Sequence, residues 1–201
     1  VERTGRFPGA PPRAHLDERA GRVVLVEDAV QGRPLDRRAV RRDPLQAVAD
    51  GRRWLRGLPV GPASRPVEDG RAEALIAEPL AVVRALAGPR AQERAELVDR
   101  AATILAPLAT AKVPMVFEHG DLSHPNILRR PEGGLAVVDW ERARTDGFPL
   151  HDLVYLVAYV VESVERPDTP AELATALRTA TRAHGWAGPE IAVYAEALGL
   201  D

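Results

Sequence analysis

Three side chains that could do chemistry lie close together in the sequence, between Val116 and Glu141. They are two carboxylates and an amide: Asp121, Asn126 and Asp139. Short apolar runs bounded by Gly and Pro predict strands, and the Gly-Gly turn between two of these runs predicts a hairpin. Because a tight hairpin brings its outer ends together, we expect Asn126 and Asp139 to be spatial neighbours. The stretch therefore predicts three oxygen donors at the mouth of a small sheet.

The chemical types of these donors favour phosphoryl transfer. An amide and a carboxylate, with room left for water or phosphate, suit Mg²⁺ better than zinc. Asp121 has the right type for a general base that orients and deprotonates an attacking hydroxyl, while an Asp and an Asn hold metal on nucleotide phosphates. Each residue taken alone is more often a cap or turn residue. The interpretation as a phosphoryl-transfer site rests on the joint occurrence of the three residues in this order.

The segment HGDLSHPNIL, followed by VVDWE, resembles the catalytic and metal-binding motifs of the aminoglycoside phosphotransferase and choline kinase group of small-molecule kinases. Five positions match in order and spacing: His119, Gly120, Asp121, Asn126 and Asp139. The resemblance implies that Asp121 is the catalytic base and that Asn126 and Asp139 are Mg²⁺ ligands. It also implies a cofactor, ATP or another nucleoside triphosphate, and a small-molecule substrate phosphorylated on a hydroxyl. The identity of that substrate stays open.

Two further residues are expected to support this site. We expect His119 to hold the loop by backbone hydrogen bonds rather than to do chemistry. By the resemblance, Asp152 accepts backbone hydrogen bonds from the catalytic loop and anchors it. The alternative for Asp152 is an acid in the first turn of a helix, where it favours the helix dipole. Both interpretations of Asp152 are structural.

The segment from Arg22 to Glu27 predicts a strand, because it is apolar and rich in β-branched residues. In the resembled fold it corresponds to the last strand of a nucleotide lobe, and the residues after it form the hinge to the catalytic lobe. Backbone groups of four residues would then meet the adenine ring: Glu27, Asp28, Ala29 and Val30. An edge strand followed by a loop explains the same pattern.

The remainder of the chain predicts mostly helices. Residues 1–21 are rich in Pro, Gly and Arg and predict an irregular lead-in, and Pro79 predicts a kink or split in the helix that contains it. The predicted helices are 43–58, 68–87, 91–112, 150–163, 170–184 and 189–198. We therefore expect an α+β fold, a mainly helical protein-kinase-like C-terminal lobe with a small catalytic β-hairpin. Residues 1–34 would form the lead-in, a remnant strand and the hinge of an incomplete nucleotide lobe, and residues 35–201 the catalytic lobe.

Composition excludes several other classes of protein. The formal net charge of -2 gives no electrostatic reason to bind nucleic acid or an anionic membrane. The absence of cysteine excludes thiol catalysis, disulfides and zinc-thiolate sites. No apolar run approaches the roughly 18 residues needed to span a bilayer, and no signal peptide is visible. A cytoplasmic protein is the default expectation.

Part of the kinase machinery has no counterpart in the sequence. A complete kinase needs a loop over the phosphates and a lysine on the nucleotide. Gly5 and Gly9 do not form the glycine-rich pattern, and Lys112 is the only lysine. We expect either a truncated chain or a protein that has lost its nucleotide lobe.

Two alternative functions stay open. The missing lysine and phosphate loop favour a catalytically inactive, kinase-like binding module. A metal-dependent phosphohydrolase would use His119, Asp121, His124 and the pair His151 and Asp152, and it would need its ligand histidines gathered in one cluster.

Overall fold

The computed structural model describes residues 14–200, apart from Pro66, Asp69, Ala87 and Pro89. The strands are β1 (Ala14–Arg19), β2 (Arg22–Glu27), β3 (Arg33–Pro34), β4 (Val60–Ser64), β5 (Val113–Glu118), β6 (Ile127–Arg129), β7 (Leu135–Val137) and β8 (Arg144–Gly147). The α-helices are α1 (Arg37–Arg42), α2 (Pro44–Leu55), α3 (Glu78–Ala85), α4 (Ala91–Leu105), α5 (His151–Glu165), α6 (Pro170–Thr181) and α7 (Gly188–Ala197). Within these described ranges, no helix is long and apolar enough to cross a membrane.

The chain divides into two compact units. The first unit takes its described residues from Val1–Pro59, Glu118–Arg144 and Leu150–Asp201. The second takes them from Val60–Phe117 and Thr145–Pro149. The boundary predicted after residue 34 stays a prediction.

The core of the first unit is built on α5, which packs against α1, α2 and α6. Its apolar face is broad, as the sequence predicts, and five apolar side chains of the helix are buried: Leu153, Leu156, Val157, Val160 and Val161. Gly51 lies where α2 packs on α5: a Cβ atom there would be 2.3 Å from Cδ2 of Leu156, so the leucine side chain would have to shift. Helix α2 begins as predicted, with the Asp43 side chain accepting the Gln46 N–H and Pro44 in the first turn.

The predicted catalytic hairpin is present in the first unit. Strands β6 and β7 pair antiparallel, with Ile127 opposite Val137 and Arg129 opposite Leu135, and β3 pairs with the other edge of β6. The turn between β6 and β7 contains the expected glycines, Gly133 and Gly134, both at positive φ. Asn126 and Asp139 therefore flank the open end of the hairpin.

The prediction of an irregular lead-in is wrong for residues 14–19, which form β1 and pair antiparallel with β2 along its whole length. Ala20 and Gly21 make the connecting turn, with φ values of 51° and 72°, as a two-residue turn of type I′ requires. The charged sequence of β1 has little strand propensity of its own, and its pairing with the valine-rich β2 defines it. Residues 1–13 of the predicted lead-in lie outside the described residues.

The second unit contains the sheet β4–β5–β8 and the helices α3 and α4. The helix predicted at 68–87 does not split near Pro79: a π-helical segment, Glu73–Ala77, runs directly into α3. The Glu78 N–H donates to the Glu73 carbonyl five residues earlier, which is the π-helical pattern. The helix predicted at 91–112 ends at Leu105, because a 3₁₀ turn that contains Pro107 follows it.

Candidate active site

The structure brings Asp121 and Asn126 into direct contact. Asp121 lies on the loop that follows β5, and Asn126 closes a short 3₁₀ turn that leads into β6. The side-chain Nδ2 of Asn126 donates to the Asp121 carbonyl at 3.0 Å and to Oδ2 of Asp121 at 3.2 Å. One carboxylate oxygen of Asp121 and the amide oxygen of Asn126 stay available for other partners.

Asp139 directly follows β7 and has an exposed side chain. The Val138 N–H donates to the Asn126 carbonyl at 3.0 Å, so the hairpin register places Asn126 opposite the residue before Asp139. The backbone of Asp139 is left-handed, with φ of 67°. For a residue other than glycine this conformation costs on the order of 1 kcal/mol or more and is enriched at functional sites. Among the described residues, no hydrogen bond or ion pair engages its carboxylate.

The His119 side chain connects the loop that carries Asp121 to the segment that follows β7. Its imidazole is fully buried; Nε2–H donates to the Val138 carbonyl at 3.0 Å, and Nδ1 accepts the Asp121 N–H at 3.3 Å. This pattern requires the neutral ring with its proton on Nε2. The ring also packs edge-on against Trp140, whose Nε1–H donates to the Val137 carbonyl at 2.8 Å. These bonds hold the residues on both sides of Asp139.

Asp152, at the start of α5, is bonded to the backbone of the same loop. Its Oδ2 accepts the His119 N–H at 2.6 Å, and its Oδ1 accepts the Gly120 N–H at 3.0 Å. Burial raises the pKa of Asp152, while these two hydrogen bonds lower it. Gly120 has φ of 79°, and a Cβ atom there would lie 2.6 Å from the Arg142 carbonyl oxygen. The loop conformation therefore depends on a glycine at this position.

A row of aromatic side chains on α5 lies beside the loop, and the sequence interpretation missed it. Tyr155 stacks at an angle between His151 and Tyr159, with ring centroids 5.9 and 5.1 Å away, and His124 meets Tyr159 edge-on. The Tyr155 hydroxyl interacts with Tyr159 and with the Asp121 carboxylate. The bond with Tyr159, burial and the interaction with Asp121 together raise the pKa of Tyr155. The four-residue spacing that places these rings on one helix face was visible in the sequence.

A second contact missed at the sequence level joins α5 to Glu118, the residue before His119, within the first unit. Nδ1 of His151 lies 3.3 Å from Oε1 of Glu118, whose side chain is buried. The hydrogen bond to Glu118 raises the pKa of His151 above its ordinary value. His151 directly precedes Asp152 in the chain, and Glu118 directly precedes His119. The ion pair therefore supports the same loop.

The geometry of the histidines does not favour the phosphohydrolase alternative. His124 is buried, with Nδ1 on the Leu35 carbonyl at 3.0 Å and Nε2 on the Ser163 hydroxyl at 2.9 Å, and burial lowers its pKa. His119 also uses both ring nitrogens within the protein. In the part of the chain that the structure describes, no three His, Cys, Asp or Glu side chains form a group that could hold a metal.

Three of the four residues predicted to meet adenine lie beside strand β7 of the catalytic hairpin. Asp28, Ala29 and Val30 line a cavity of about 290 Å³, whose far wall includes Ala136 and Val137 of β7. Glu27 ends β2 and is exposed, and it is not part of this lining. The lining also includes Gln31, Arg130 and Glu132, so the cavity is partly polar and partly apolar.

The donor set at the hairpin mouth fits a hard divalent cation. The Asp139 carboxylate is exposed, and the Asn126 amide points its nitrogen toward Asp121, which leaves its oxygen as a ligand. Carboxylate and amide oxygens are the ligands that Mg²⁺ takes, with water or phosphate completing its shell. No sulfur or free imidazole competes at this position, since the chain has no cysteine and both nearby histidines are engaged.

The helical first unit, its catalytic hairpin and the loop held by Asp152 define a protein-kinase-like catalytic lobe. The model of the phosphotransferase enzyme family matches residues 5–191. The chain belongs to this family. No curated protein sequence matches it.

Solved structures support the fold. A glucosamine kinase, in crystal form B, is similar with a TM-score of 0.52 and 22% identity, over 94% of this chain and 54% of that one. The glucosamine kinase in complex with glucosamine, ADP and inorganic phosphate is similar with a TM-score of 0.52 and 23% identity, over 94% of this chain and 53% of that one. The chain therefore spans about half the length of these structures. The predicted family and fold class are confirmed.

Proposed function

We propose that this chain carries the catalytic site of an ATP- and Mg²⁺-dependent phosphotransferase that acts on a hydroxyl group of a small molecule. The observation that carries the proposal is the orientation of Asn126. Its amide nitrogen fixes one oxygen of Asp121, while its oxygen stays available at the hairpin mouth, where Asp139 follows. The Asn126 amide would therefore orient the base through its nitrogen and bind the metal through its oxygen.

In this mechanism Asp121 accepts the proton of the substrate hydroxyl through the oxygen that Asn126 leaves free. The hydroxyl oxygen forms the new bond to phosphorus, and the bond between the transferred phosphorus and the nucleoside diphosphate oxygen breaks. Asn126 and Asp139 would hold Mg²⁺, which supplies charge neutralisation on the phosphates. The cavity beside Asp28, Ala29 and Val30 would take the adenine ring.

The first acceptor to test is glucosamine, because a similar structure was solved with glucosamine, ADP and phosphate. Tyr155, whose hydroxyl interacts with Asp121, is an aromatic side chain of the kind that packs against the apolar face of a sugar ring. A second candidate function is nucleotide binding without turnover. It is favoured by Lys112 being the only lysine in the sequence.

The test is calorimetric titration of the 201-residue chain with ATP, with and without Mg²⁺. We expect binding that requires Mg²⁺, is lost in Asp139→Ala and is kept in Asp121→Asn. Asp168→Ala is the matched control, because it also removes an exposed carboxylate but lies outside the motif in the sequence. Turnover with glucosamine that Asp121→Asn abolishes distinguishes the kinase from the binding module. Binding that is indifferent to Mg²⁺ and to Asp139→Ala would contradict the proposed metal site and with it the kinase.

A further inference from the structure

A cavity of about 560 Å³ in the first unit is surrounded by positive charge. It lies between β3, the short helix α1 and the end of β6. Ten residues line it, and five of them are arginines: Arg33, Arg38, Arg42, Arg129 and Arg130. Asp36 is the single acid in the lining. We call this the arginine cavity.

Two pairs of these arginines are placed in unfavourable like-charge positions. Arg33 on β3 is directly opposite Arg129 on β6 in the antiparallel register, and like charges in that position destabilise a sheet. Arg38 and Arg42 are four residues apart on α1 and therefore share one helix face, where like charges also repel. Both repulsions converge on the same cavity, so an anion bound there would relieve both.

The acids near the cavity are already engaged. Asp36 caps α1, its side chain accepting the Ala39 N–H at 2.8 Å. Asp50 lies 3.4 Å from Arg129 but also accepts from Arg53 at 2.9 Å. Glu132 reaches Arg130 only at 3.7 Å.

The guanidinium groups consequently keep unused donors. Within the described ranges, no carboxylate lies at ion-pair distance from Arg33, Arg38 or Arg42. The Nε atoms of Arg129 and Arg130 are buried and have no hydrogen-bond partner. Buried donors without acceptors are rare in native proteins, so water or a bound anion is expected to complete them.

Composition alone does not produce this arrangement. The chain is rich in arginine, with 26 of 201 residues, or about one in eight. Half of the residues that line the arginine cavity are arginines, and most of them lack an acid partner.

We propose that the arginine cavity binds a soluble small molecule that carries two or more phosphate groups. Guanidinium groups bind phosphate oxygens bidentately and keep their charge at every physiological pH, and the cavity volume is typical of small-molecule sites. The site is separate from the proposed metal site, since Arg129 and Arg130 lie at the turn end of the β6–β7 hairpin and Asn126 and Asp139 lie at its open end. Arg130 also lines the cavity proposed for the adenine ring. The proposal does not depend on the proposed function.

The experiment is calorimetric titration of the full chain with inorganic tripolyphosphate in the presence of EDTA, which removes divalent cations from the catalytic site. We expect one molecule to bind, and we expect the affinity to fall about tenfold or more in Arg38→Ala/Arg42→Ala. The control is Arg178→Ala/Arg182→Ala, because these two exposed arginines have the same four-residue spacing and the same total charge. A third variant, Asp139→Asn, is expected to bind as the unaltered chain does.

Three outcomes would overturn the proposal. They are no binding by the folded chain, an equal loss of affinity in both arginine pairs, and binding that changes in Asp139→Asn. Thermal unfolding gives a second, independent readout. Tripolyphosphate is expected to raise the unfolding temperature of the unaltered chain but not that of Arg38→Ala/Arg42→Ala. Should the double variant fail to fold, the single variant Arg38→Gln is used in both measurements.

Discussion

The Asp152 carboxylate accepts the backbone N–H of His119 at 2.6 Å, although 33 positions separate the two residues. The same carboxylate holds the next amide, that of Gly120. Helix α5 is the centre of the core of the first unit, and the loop carries Asp121. This one side chain therefore links the packing of the core to the position of the proposed base.

Replacing Asp152 by Asn should destabilise the fold. An amide keeps one acceptor oxygen but presents an NH₂ group to the other backbone N–H, which then lies buried without an acceptor. We expect a loss of about 1–3 kcal/mol in the free energy of unfolding, measured by urea denaturation at neutral pH. Asp168→Asn is the control, since that side chain is exposed. Equal stability of the two variants would show that Asp152 does not anchor the loop.

Gly120→Ala should be more harmful than the same change at Gly134. Both glycines have φ of 79°, so both variants bear the same backbone strain. A Cβ atom on Gly134 meets no atom within 4 Å, whereas on Gly120 it would lie 2.6 Å from the Arg142 carbonyl oxygen. We expect about 1 kcal/mol of loss for Gly134→Ala and a clearly larger loss for Gly120→Ala. Urea denaturation of the pair measures the difference, and equal losses would contradict the close contact.

The ion pair of His151 with Glu118 should make stability depend on pH. The pKa of His151 is raised in the folded state, first by the hydrogen bond to Glu118. Its contribution is therefore complete below the unfolded pKa of about 6.5 and is lost as the pH rises through the folded pKa. Arg144 opposes the shift and Asp152 supports it.

The corresponding measurement compares the unaltered chain with His151→Gln by urea denaturation between about pH 5.5 and about pH 9. We expect the stability difference to be largest at the acidic end. His184→Gln, at an exposed histidine, should show no such trend. A difference that stays constant with pH would mean that the pair contributes no charge interaction.

Tyr155→Phe should impair turnover without affecting nucleotide binding, if the proposed function holds. The hydroxyl beside Asp121 orients the carboxylate, and losing a hydrogen bond to a charged group is expected to lower kcat about tenfold. Tyr159→Phe removes a hydroxyl from the same row but not the one that interacts with Asp121. We expect a smaller effect from it. Loss of Mg·ATP binding in Tyr155→Phe would indicate a general structural defect instead.

Local patterns in the sequence were sufficient for the catalytic hairpin and for the existence of the longer helices, but no predicted helix covered α1. Two apolar runs and a Gly-Gly turn determine the register of β6 and β7 over a few residues, and Asp43 with Pro44 defines the start of α2. The neighbouring positions of Asn126 and Asp139 followed from that register. The roles of Asp121, Asn126 and Asp139 stay predictions.

Features that depend on tertiary packing could not be predicted in this way. Strand β1 is charged and forms only because β2 pairs with it. Tyr155 reaches Asp121 because α5 packs below the loop, and the sequence pattern of α5 shows only that the helix is buried. The contact of His151 with Glu118 joins two segments more than thirty positions apart.

The left-handed backbone of Asp139 has a consequence for protein engineering. Glycine adopts this φ without strain, so Asp139→Gly should relieve a local cost that the two bonds from His119 and Trp140 now offset. A library selected only for heat resistance would be expected to accumulate that replacement and to lose the proposed metal ligand with it. Screens on this chain should therefore select for nucleotide binding and thermal tolerance together.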